Sequence, residues 1–267
     1  MSIDKLLSEI SHKLPNWEGK KLVGRFIRNI LVASHKRRKI SSPFLINNSY
    51  WMYTDDVDSL GLINGTYETE ETKFFKESLK TNDIVLDLGA NIGYYTLLFA
   101  ILCKKVYAFE PDNYNYKLLI KNIKLNISKG TIKASTIVSE QKAVSDKNTI
   151  LRMAVEYSNR GANTISRLGT EKINAIRIDD YFKNRVKPTV IKMDIEGHEA
   201  YAIRGGIETF KSARLVVLEA TNEKGGRHSE AIRQLEDAGF TIKKIKGYVD
   251  GGNFYGKKFC DIRASPL

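Results

Sequence analysis

The residues best suited to chemistry begin with Asp87, which ends a short apolar run two residues before Gly89. Gly93 follows, so the spacing is D-x-G-x-x-x-G rather than the G-x-G-x-x-G that cradles a pyrophosphate. A carboxylate at this position would repel a pyrophosphate and would suit a positively charged ligand. S-adenosylmethionine carries a sulfonium and an ammonium. The stretch therefore predicts a site for that cofactor, with the glycines letting the backbone approach it.

A second acid, Glu110, closes the next apolar run, which begins at Lys105. Glu110 lies 23 residues after Asp87. In nucleotide-binding folds, an acid about 20 residues beyond the glycine turn holds the ribose diol. We therefore expect Glu110 to bind the ribose, and the alternative is a solvated loop acid.

A third group of polar residues, Asp194, Glu196 and His198, follows the apolar run 189–193. An extended backbone would send Asp194 and Glu196 to the same side, at the sheet edge where ligands of open α/β folds bind. If the bound cofactor gives its methyl group to a hydroxyl, that hydroxyl must lose a proton. We therefore predict Asp194 as the base, His198 as its alternative and Glu196 as a group that orients the acceptor. We favour a reaction without metal, although Asp194 and Glu196 could instead hold Mg²⁺.

Several other kinds of site are disfavoured by the residues. Position 202 is Ala, so the HExxH zinc pattern is absent around His198. No Asn-Pro-Pro-Tyr or Asp-Pro-Pro-Tyr follows this run, and no cysteine lies near it, which argues against amide or adenine methylation and against a thiolate nucleophile. Cys103 and Cys260 form no CxxC pair, and they predict free thiols in a reducing compartment.

Four segments, in order, resemble the FkbM family of S-adenosylmethionine-dependent methyltransferases; they read VLDLGANIGYYTLLFA, VYAFEPDNYNYKLLIKNIKLN, QKAVSD and IKMDIEGHEAYAIRGG. The resemblance covers roughly residues 65–220. It implies a class I, Rossmann-like α/β fold and most simply an O-methyltransferase acting on a small molecule, sugar, glycolipid or polysaccharide precursor. A nucleic-acid methyltransferase and a non-catalytic cofactor-binding protein remain as alternatives.

The resemblance also implies where the cofactor is contacted, namely at the glycine turn, at the ends of neighbouring strands and at the segment that enters the core. The implied residues are Glu68, Asp87, Gly89, Asn91, Gly93, Glu110, Pro111, Gln141, Ala143 and Asp194. Glu68 could instead be an acid favoured by a helix N-terminus. The polar stretch 158–164 is predicted to be either a lid over the cleft or a solvated surface loop.

The elements that must position these residues alternate between apolar runs and amphipathic stretches, which predicts a mostly parallel sheet flanked by helices, with an antiparallel strand pair at its C-terminal end. Strands are predicted at 84–88, 105–110, 189–197, 215–220, 241–249 and 253–263, and a strand with the turn after it at 137–146. Helices are predicted at 71–79, 94–100, 114–126 and 229–238. Residues 42–53 predict one or two short strands with a turn at Asn47-Asn48.

Residues 1–64 form a predicted basic helical extension, and 65–267 the methyltransferase domain. The chain has a net charge of +12, and nine basic residues against one acid lie between Lys13 and Lys39. Apolar residues recur at helical spacing within residues 20–40. Such an amphipathic helix could pack on the domain, form a homodimer or rest on an anionic membrane surface. Nucleic acid is the less favoured partner. The sequence has no apolar run long enough to span a membrane and no secretory pattern at its start. We therefore expect a cytoplasmic protein, with association at the inner membrane surface as an alternative.

Overall fold

The structure is a computed structural model, and it describes residues 43–54, 62, 67–156, 160–219, 227–245 and 253–257. The chain divides into two compact units, residues 1–67 and 68–267. The helices predicted within residues 1–40, and the partner surface predicted at 20–40, lie outside the described residues. No helix in the described part is both long enough and apolar enough to cross a membrane.

The elements alternate along the chain between strands and helices. The strands are β1 (Phe44–Ile46), β2 (Tyr50–Met52), β3 (Ile84–Leu88), β4 (Lys105–Phe109), β5 (Ile137–Glu140), β6 (Ala143–Val144), β7 (Thr149–Ala154), β8 (Thr164–Ile165), β9 (Glu171–Ile176), β10 (Val190–Met193), β11 (Leu215–Glu219), β12 (Thr241–Lys244) and β13 (Asn253–Lys257). The helices are α1 (Thr69–Ser78), α2 (Tyr94–Leu102), α3 (Asn113–Ser128), α4 (Ile178–Phe182), α5 (Glu199–Gly205), α6 (Ile207–Ser212) and α7 (Arg227–Asp237).

In the first unit, β1 and β2 form an antiparallel hairpin around Asn47 and Asn48. Both asparagines have positive φ, 48° and 54°, which asparagine tolerates better than most residues. The Ser49 amide closes the turn by donating to the Ile46 carbonyl at 2.8 Å. The predicted strands and their turn are confirmed.

The second unit is built on a seven-stranded sheet of order β12-β13-β11-β10-β3-β4-β5. The strands from β5 to β11 are parallel, and β13 pairs antiparallel with both β11 and β12. The predicted α/β sheet with its antiparallel C-terminal pair is therefore confirmed. The chain runs outward from β3 to β4 and β5, and then returns to β10 on the other side of β3. Ligands of open α/β sheets bind at such a switch point, beyond the carboxyl ends of the strands.

The register of the central strands brings four polar turns to one edge. Leu88 is opposite Phe109 and Met193, and Met193 is opposite Leu218. These strand ends are buried apolar residues that anchor the sheet in the core. Consequently, the residues that follow each end meet at this edge of the sheet; they are Gly89, Glu110, Asp194 and Glu219.

The stretch 137–180 departs from its predicted form. The strand predicted within 137–146 is β5 of the main sheet, but the predicted turn after it contains β6, which pairs with β9 in a second, four-stranded sheet of order β6-β9-β7-β8. Strands β7, β8 and β9 fall where no strand was predicted. Only Met153 is buried on β7, so this strand lacks a strong hydrophobic pattern, whereas β9 alternates through buried Ile173 and Ala175. That alternation was the available signal.

Candidate active site

The turn after β3 is held against the neighbouring strands by its backbone. The amides of Gly89 and Ala90 donate to the Phe109 carbonyl at 3.0 and 2.9 Å. Gly89 has a φ of +79°, and a Cβ there would lie 1.7 Å from the Asp194 carbonyl oxygen. Glycine is therefore required both by conformation and by the contact with Asp194. Gly93 lies at the start of α2, where its added Cβ would clash with Leu119 rather than face a ligand.

Asp87 is fully buried beneath this turn and does not line the cleft. Its Oδ2 accepts a 2.6 Å hydrogen bond from the Thr96 hydroxyl, and its Oδ1 lies 3.9 Å from Lys192 Nζ. Burial raises the pKa of Asp87, although the Lys192 ammonium and the Thr96 hydroxyl act to lower it. The structure thus places Asp87 as a support under the glycine turn, whereas the sequence predicted direct cofactor contact.

Glu110 faces the cleft and is only 5% exposed. Its Oε1 accepts from the Asp112 amide and its Oε2 from the Asn91 amide, both at 2.8 Å. Each carboxylate oxygen can accept a further hydrogen bond, so the two hydroxyls of a diol match its remaining capacity. Burial raises the pKa of Glu110 to about 7, against the lowering effect of those two amides.

An open cleft lies at this edge of the sheet, where ligands of open α/β folds bind. The predicted cofactor contacts that line it are Gly89, Asn91, Glu110, Pro111, Ala143 and Asp194, and the predicted orienting residue Glu196 lines it as well. Its apolar wall includes Val144, Met153 and Ile165.

The polar stretch predicted as a lid or surface loop contributes to the cleft through Arg160, Gly161 and Asn163. Arg160 Nη1 lies 3.2 Å from both carboxylate oxygens of Asp112, and its guanidinium stacks 4.5 Å from the Tyr114 ring centre. Asp112 also caps α3 through the Tyr114 and Asn115 amides. The described part of this loop is therefore fastened to the α3 start beside Glu110; residues 157–159 lie outside the described chain.

Three acids meet at the ends of β10 and β11, which lie on the other side of β3 from the strand that Glu110 follows. One carboxylate oxygen from each of Asp194, Glu196 and Glu219 lies within 4.8 Å of the other two. Glu219 ends β11 and was not predicted, although an acid closing an apolar run beside β10 was the signal that could have found it. Burial and the Asp194 charge raise the pKa of Glu196 to about 7 and that of Glu219 to about 8.

The reason predicted for the proximity of Asp194 and Glu196 is wrong. The strand ends at Met193, and Glu196 has a left-handed φ of 52°. A tight turn, not an extended backbone, brings Glu196 to the cleft. Asp194 is anchored from below, because Lys192 Nζ lies 3.3 Å from its Oδ2. Lys192 was also missed by the sequence reasoning, which treated β10 as apolar.

His198 lies away from the cleft lining. It is buried, its Nε2 is 3.0 Å from the Ser145 hydroxyl, and its ring stacks on Tyr201 with centres 4.5 Å apart. His198 thus packs at the start of α5 in this structure. Its role as an alternative base stays a prediction, since a base must reach the proton that it accepts.

Two further predicted contacts are also outside the cleft lining. Gln141 is exposed and lies 3.5 Å from Asn113 through its side-chain amide. Glu68 stands at the start of α1 with a φ of 40°. Its charge nevertheless raises the pKa of Glu71 and of Glu219, after the larger effect of burial, so Glu68 belongs to the same acidic surroundings.

The donor set of the cleft fits S-adenosylmethionine. Glu110 offers acceptors for a ribose diol, and Asp194 and Glu196 offer negative charge for an ammonium and a sulfonium. The apolar wall suits an aromatic base. A pyrophosphate would meet three carboxylates here, so the residues present disfavour a dinucleotide.

The chain was compared with known proteins. The Methyltransferase FkbM domain matches residues 87–242. "Hexuronic acid methyltransferase AglP" of Haloferax volcanii is 25% identical over 154 residues, which cover 57% of this chain and 62% of that protein. "Methyltransferase sdnD" of Sordaria araneosa is 28% identical over 211 residues, and the match covers 62% of this chain and 77% of that protein. The chain thus spans less than two thirds of the archaeal protein's length.

Among solved structures, "Methyltransferase FkbM" from Methylobacillus flagellatus KT superposes with a TM-score of 0.51. The match covers 87% of this chain and 60% of that chain at 17% identity. Since identity is low, this likeness concerns the fold alone.

Proposed function

The chain belongs to the FkbM family of methyltransferases, and we propose that it transfers the methyl group of S-adenosylmethionine to a hydroxyl group of a sugar or of a sugar-bearing small molecule. The observation that carries this proposal is the cluster of Asp194, Glu196 and Glu219 beside the glycine turn. An oxygen acceptor needs a group that takes its proton, and the cluster supplies several such groups at the edge of the cleft.

Asp194 is the proposed base within the cluster. It lines the cleft, it contacts Gly89 through its backbone, and its side chain is held in place by Lys192. Glu196 and Glu219 have pKa values of about 7 and 8, so either can hold a proton near neutral pH. We assign to them the orientation of the acceptor and the onward transfer of its proton.

The cofactor-binding side is assigned to residues on the other part of the cleft. When bound, S-adenosylmethionine supplies an electrophilic methyl group. Glu110 would hold the ribose, and Gly89, Asn91, Pro111 and Ala143 would form the walls around it. Methyl transfer to oxygen is an in-line displacement, so the main contribution of these residues is alignment and the exclusion of water.

The acceptor class is supported by the archaeal relative, whose name specifies a hexuronic acid. The proposal includes no metal. Asp194 already has an ammonium partner 3.3 Å away, which reduces the net negative charge available to a divalent cation at Asp194 and Glu196. Small-molecule and glycan acceptors are proposed before nucleic acid, because the cleft wall that the structure describes is acidic.

The test is a transfer assay with methyl-labelled S-adenosylmethionine and a panel of acceptors. The panel contains uronic-acid glycosides, neutral hexose glycosides, simple phenols and RNA. We expect label on a glycoside, in a product that survives mild alkali, because a methyl ether is stable where a methyl ester is hydrolysed. Alkali-labile label would place the methyl group on a carboxylate, and label on RNA alone would replace the proposed acceptor class.

A further inference from the structure

Lys192 is a charged residue in the most buried part of the main sheet. It lies on β10, in register with Asp87 of β3 and Val217 of β11, and it is 5% exposed. A lysine is rarely buried without a partner, since removing an ammonium from water costs several kcal/mol. What Lys192 does therefore depends on the groups that its ammonium contacts.

The ammonium contacts two residues that line the cleft. Lys192 Nζ lies 3.2 Å from the Gly89 carbonyl oxygen and 3.3 Å from Asp194 Oδ2. Asp87 Oδ1 is 3.9 Å away, and the Tyr95 ring centre is 5.4 Å away. An ammonium has three donors, so Gly89 and Asp194 each take one and the third faces the side of Asp87 and Tyr95.

These contacts fix the spacing between the two halves of the cleft. The Gly89 turn belongs to the proposed cofactor side, and Asp194 is the proposed base. Their backbones already meet so closely that a Cβ on Gly89 would overlap the Asp194 carbonyl. Lys192 joins the same two residues from beneath, through a carbonyl on one side and a carboxylate on the other. A displacement of either residue would therefore break a buried, charged hydrogen bond.

Acidic groups surround the ammonium. The ionisable groups that interact with it are Glu68 and Glu71 of the α1 start, Asp87 of β3, Tyr95 of α2, Glu110 after β4, and Asp194 and Glu196 after β10. Burial alone would lower the pKa of Lys192, but Asp194, Asp87, Glu71 and Glu68 raise it above its ordinary value. Lys192 is thus a permanent cation.

The positive charge of Lys192 in turn lowers the pKa values of the acids around it. Burial raises the pKa of Glu71, Asp87, Glu110 and Glu196, and in each case Lys192 opposes that rise. Glu110 and Glu196 line the cleft, and Asp87 supports the glycine turn. Loss of the ammonium would therefore shift several groups toward their protonated forms at the same time.

We propose that Lys192 is a positioning residue, whose buried ammonium ties the Gly89 turn to Asp194 and acts as the counter-ion of the acids around the cleft. This inference rests on the proposed function, because it takes the cleft to bind S-adenosylmethionine and Asp194 to face the acceptor. A purely structural role predicts a different behaviour: Lys192→Met would lower stability, because Asp87 and Asp194 lose their cation, but the folded variant would keep wild-type turnover and pH dependence.

The experiment compares Lys192→Met with wild type in two measurements across pH 6 to 9. Calorimetric titration with S-adenosylhomocysteine measures binding, and methyl transfer at saturating cofactor measures turnover. We expect turnover at pH 7 to fall by about tenfold or more, as expected for a lost charge-assisted contact. We also expect the pH of half-maximal S-adenosylhomocysteine binding to rise by about one unit, because the acids lose their counter-ion.

Three controls separate positioning from folding. Lys243→Met, on the exposed face of β12 in the same sheet, should leave both measurements unchanged. Lys192→Arg keeps the charge and should restore the wild-type pH midpoint even if turnover stays reduced. Asp87→Asn combined with Lys192→Met removes both members of a buried pair, and it allows the pH midpoint to be measured if the single variant does not fold.

The outcomes distinguish this inference from the proposed function. A Lys192→Met protein with wild-type turnover and a wild-type pH midpoint overturns the role of Lys192 alone. If the wild type binds S-adenosylhomocysteine but methylates no acceptor in the panel, the acceptor proposal fails and the binding midpoint still decides the role of Lys192. Absence of binding by the wild type overturns the proposed site and this inference together.

Discussion

The two sides of the cleft hold their acids by different means. Glu110 is fixed by the main chain, because both of its oxygens accept backbone amides at 2.8 Å. The Asp194 side chain is held by the buried Lys192 ammonium, and Glu196 and Glu219 lie close enough for their charges to interact with it. An acid held by the backbone presents the same acceptors whatever side chains surround it. Acids held by neighbouring charges depend on those neighbours, which suits a group that must exchange a proton.

The largest effect on turnover is expected at Asp194, the proposed base. We expect Asp194→Asn to lower turnover by about 10²-fold or more, because a positioned base contributes about 10²–10⁴-fold. Affinity for S-adenosylhomocysteine should fall far less than turnover, since Glu110, the glycine turn and Glu196 are unchanged. Steady-state kinetics and calorimetry measure the two effects separately. Full activity in Asp194→Asn would remove Asp194 from the mechanism.

On the other side of the cleft, Glu110→Ala should act mainly on binding. The ribose would lose a charged acceptor, and a hydrogen bond to a charged group contributes about 1.5–3 kcal/mol, so the Kd for S-adenosylhomocysteine should rise by about 10- to 100-fold. Glu110→Gln keeps the shape and serves as the matched control, with a smaller loss. An unchanged Kd in the alanine variant would refute the ribose assignment.

The pH dependence of S-adenosylhomocysteine binding tests the role of Glu110 separately from that of the acids near Asp194. Glu110 has a pKa raised to about 7 by burial, so it gains a proton as the pH falls through 7. Because the ionised form is the better acceptor for ribose hydroxyls, affinity for S-adenosylhomocysteine should weaken below pH 7, by at most tenfold per pH unit. In Glu110→Gln, the weakening of S-adenosylhomocysteine affinity below pH 7 should disappear. If the variant keeps the wild-type pH profile, another group controls binding.

The smallest effect is expected from metal removal. Dialysis against EDTA should leave turnover within about twofold of the untreated enzyme, since the Asp194 carboxylate is paired with Lys192 rather than left for a cation. Added Mg²⁺ should not increase the rate. A loss of activity that Mg²⁺ restores would show that Asp194, Glu196 and Glu219 use a metal in the reaction.

Much of the proposed cofactor side was predictable because its signals are local. The D-x-G-x-x-x-G spacing and the acid at Glu110 each lie within a few residues of an apolar strand. Asn91 and Pro111 are their neighbours in sequence and line the same cleft. The second sheet was not predictable in the same way, since β7 is mostly exposed and carries little hydrophobic pattern.

The sequence by itself determined the strands of the main sheet, the glycine turn and the positions of Glu110 and Asp194 at strand ends, because apolar runs and turn residues dictate local structure. Tertiary structure decided which of those acids meet. Pairing of β10 with both β3 and β11 brings Glu219 to Asp194 and directs Lys192 toward Gly89 and Asp87. It also buries Asp87 and His198 away from the cleft. The register between strands far apart in sequence sets these contacts, and no local pattern encodes it.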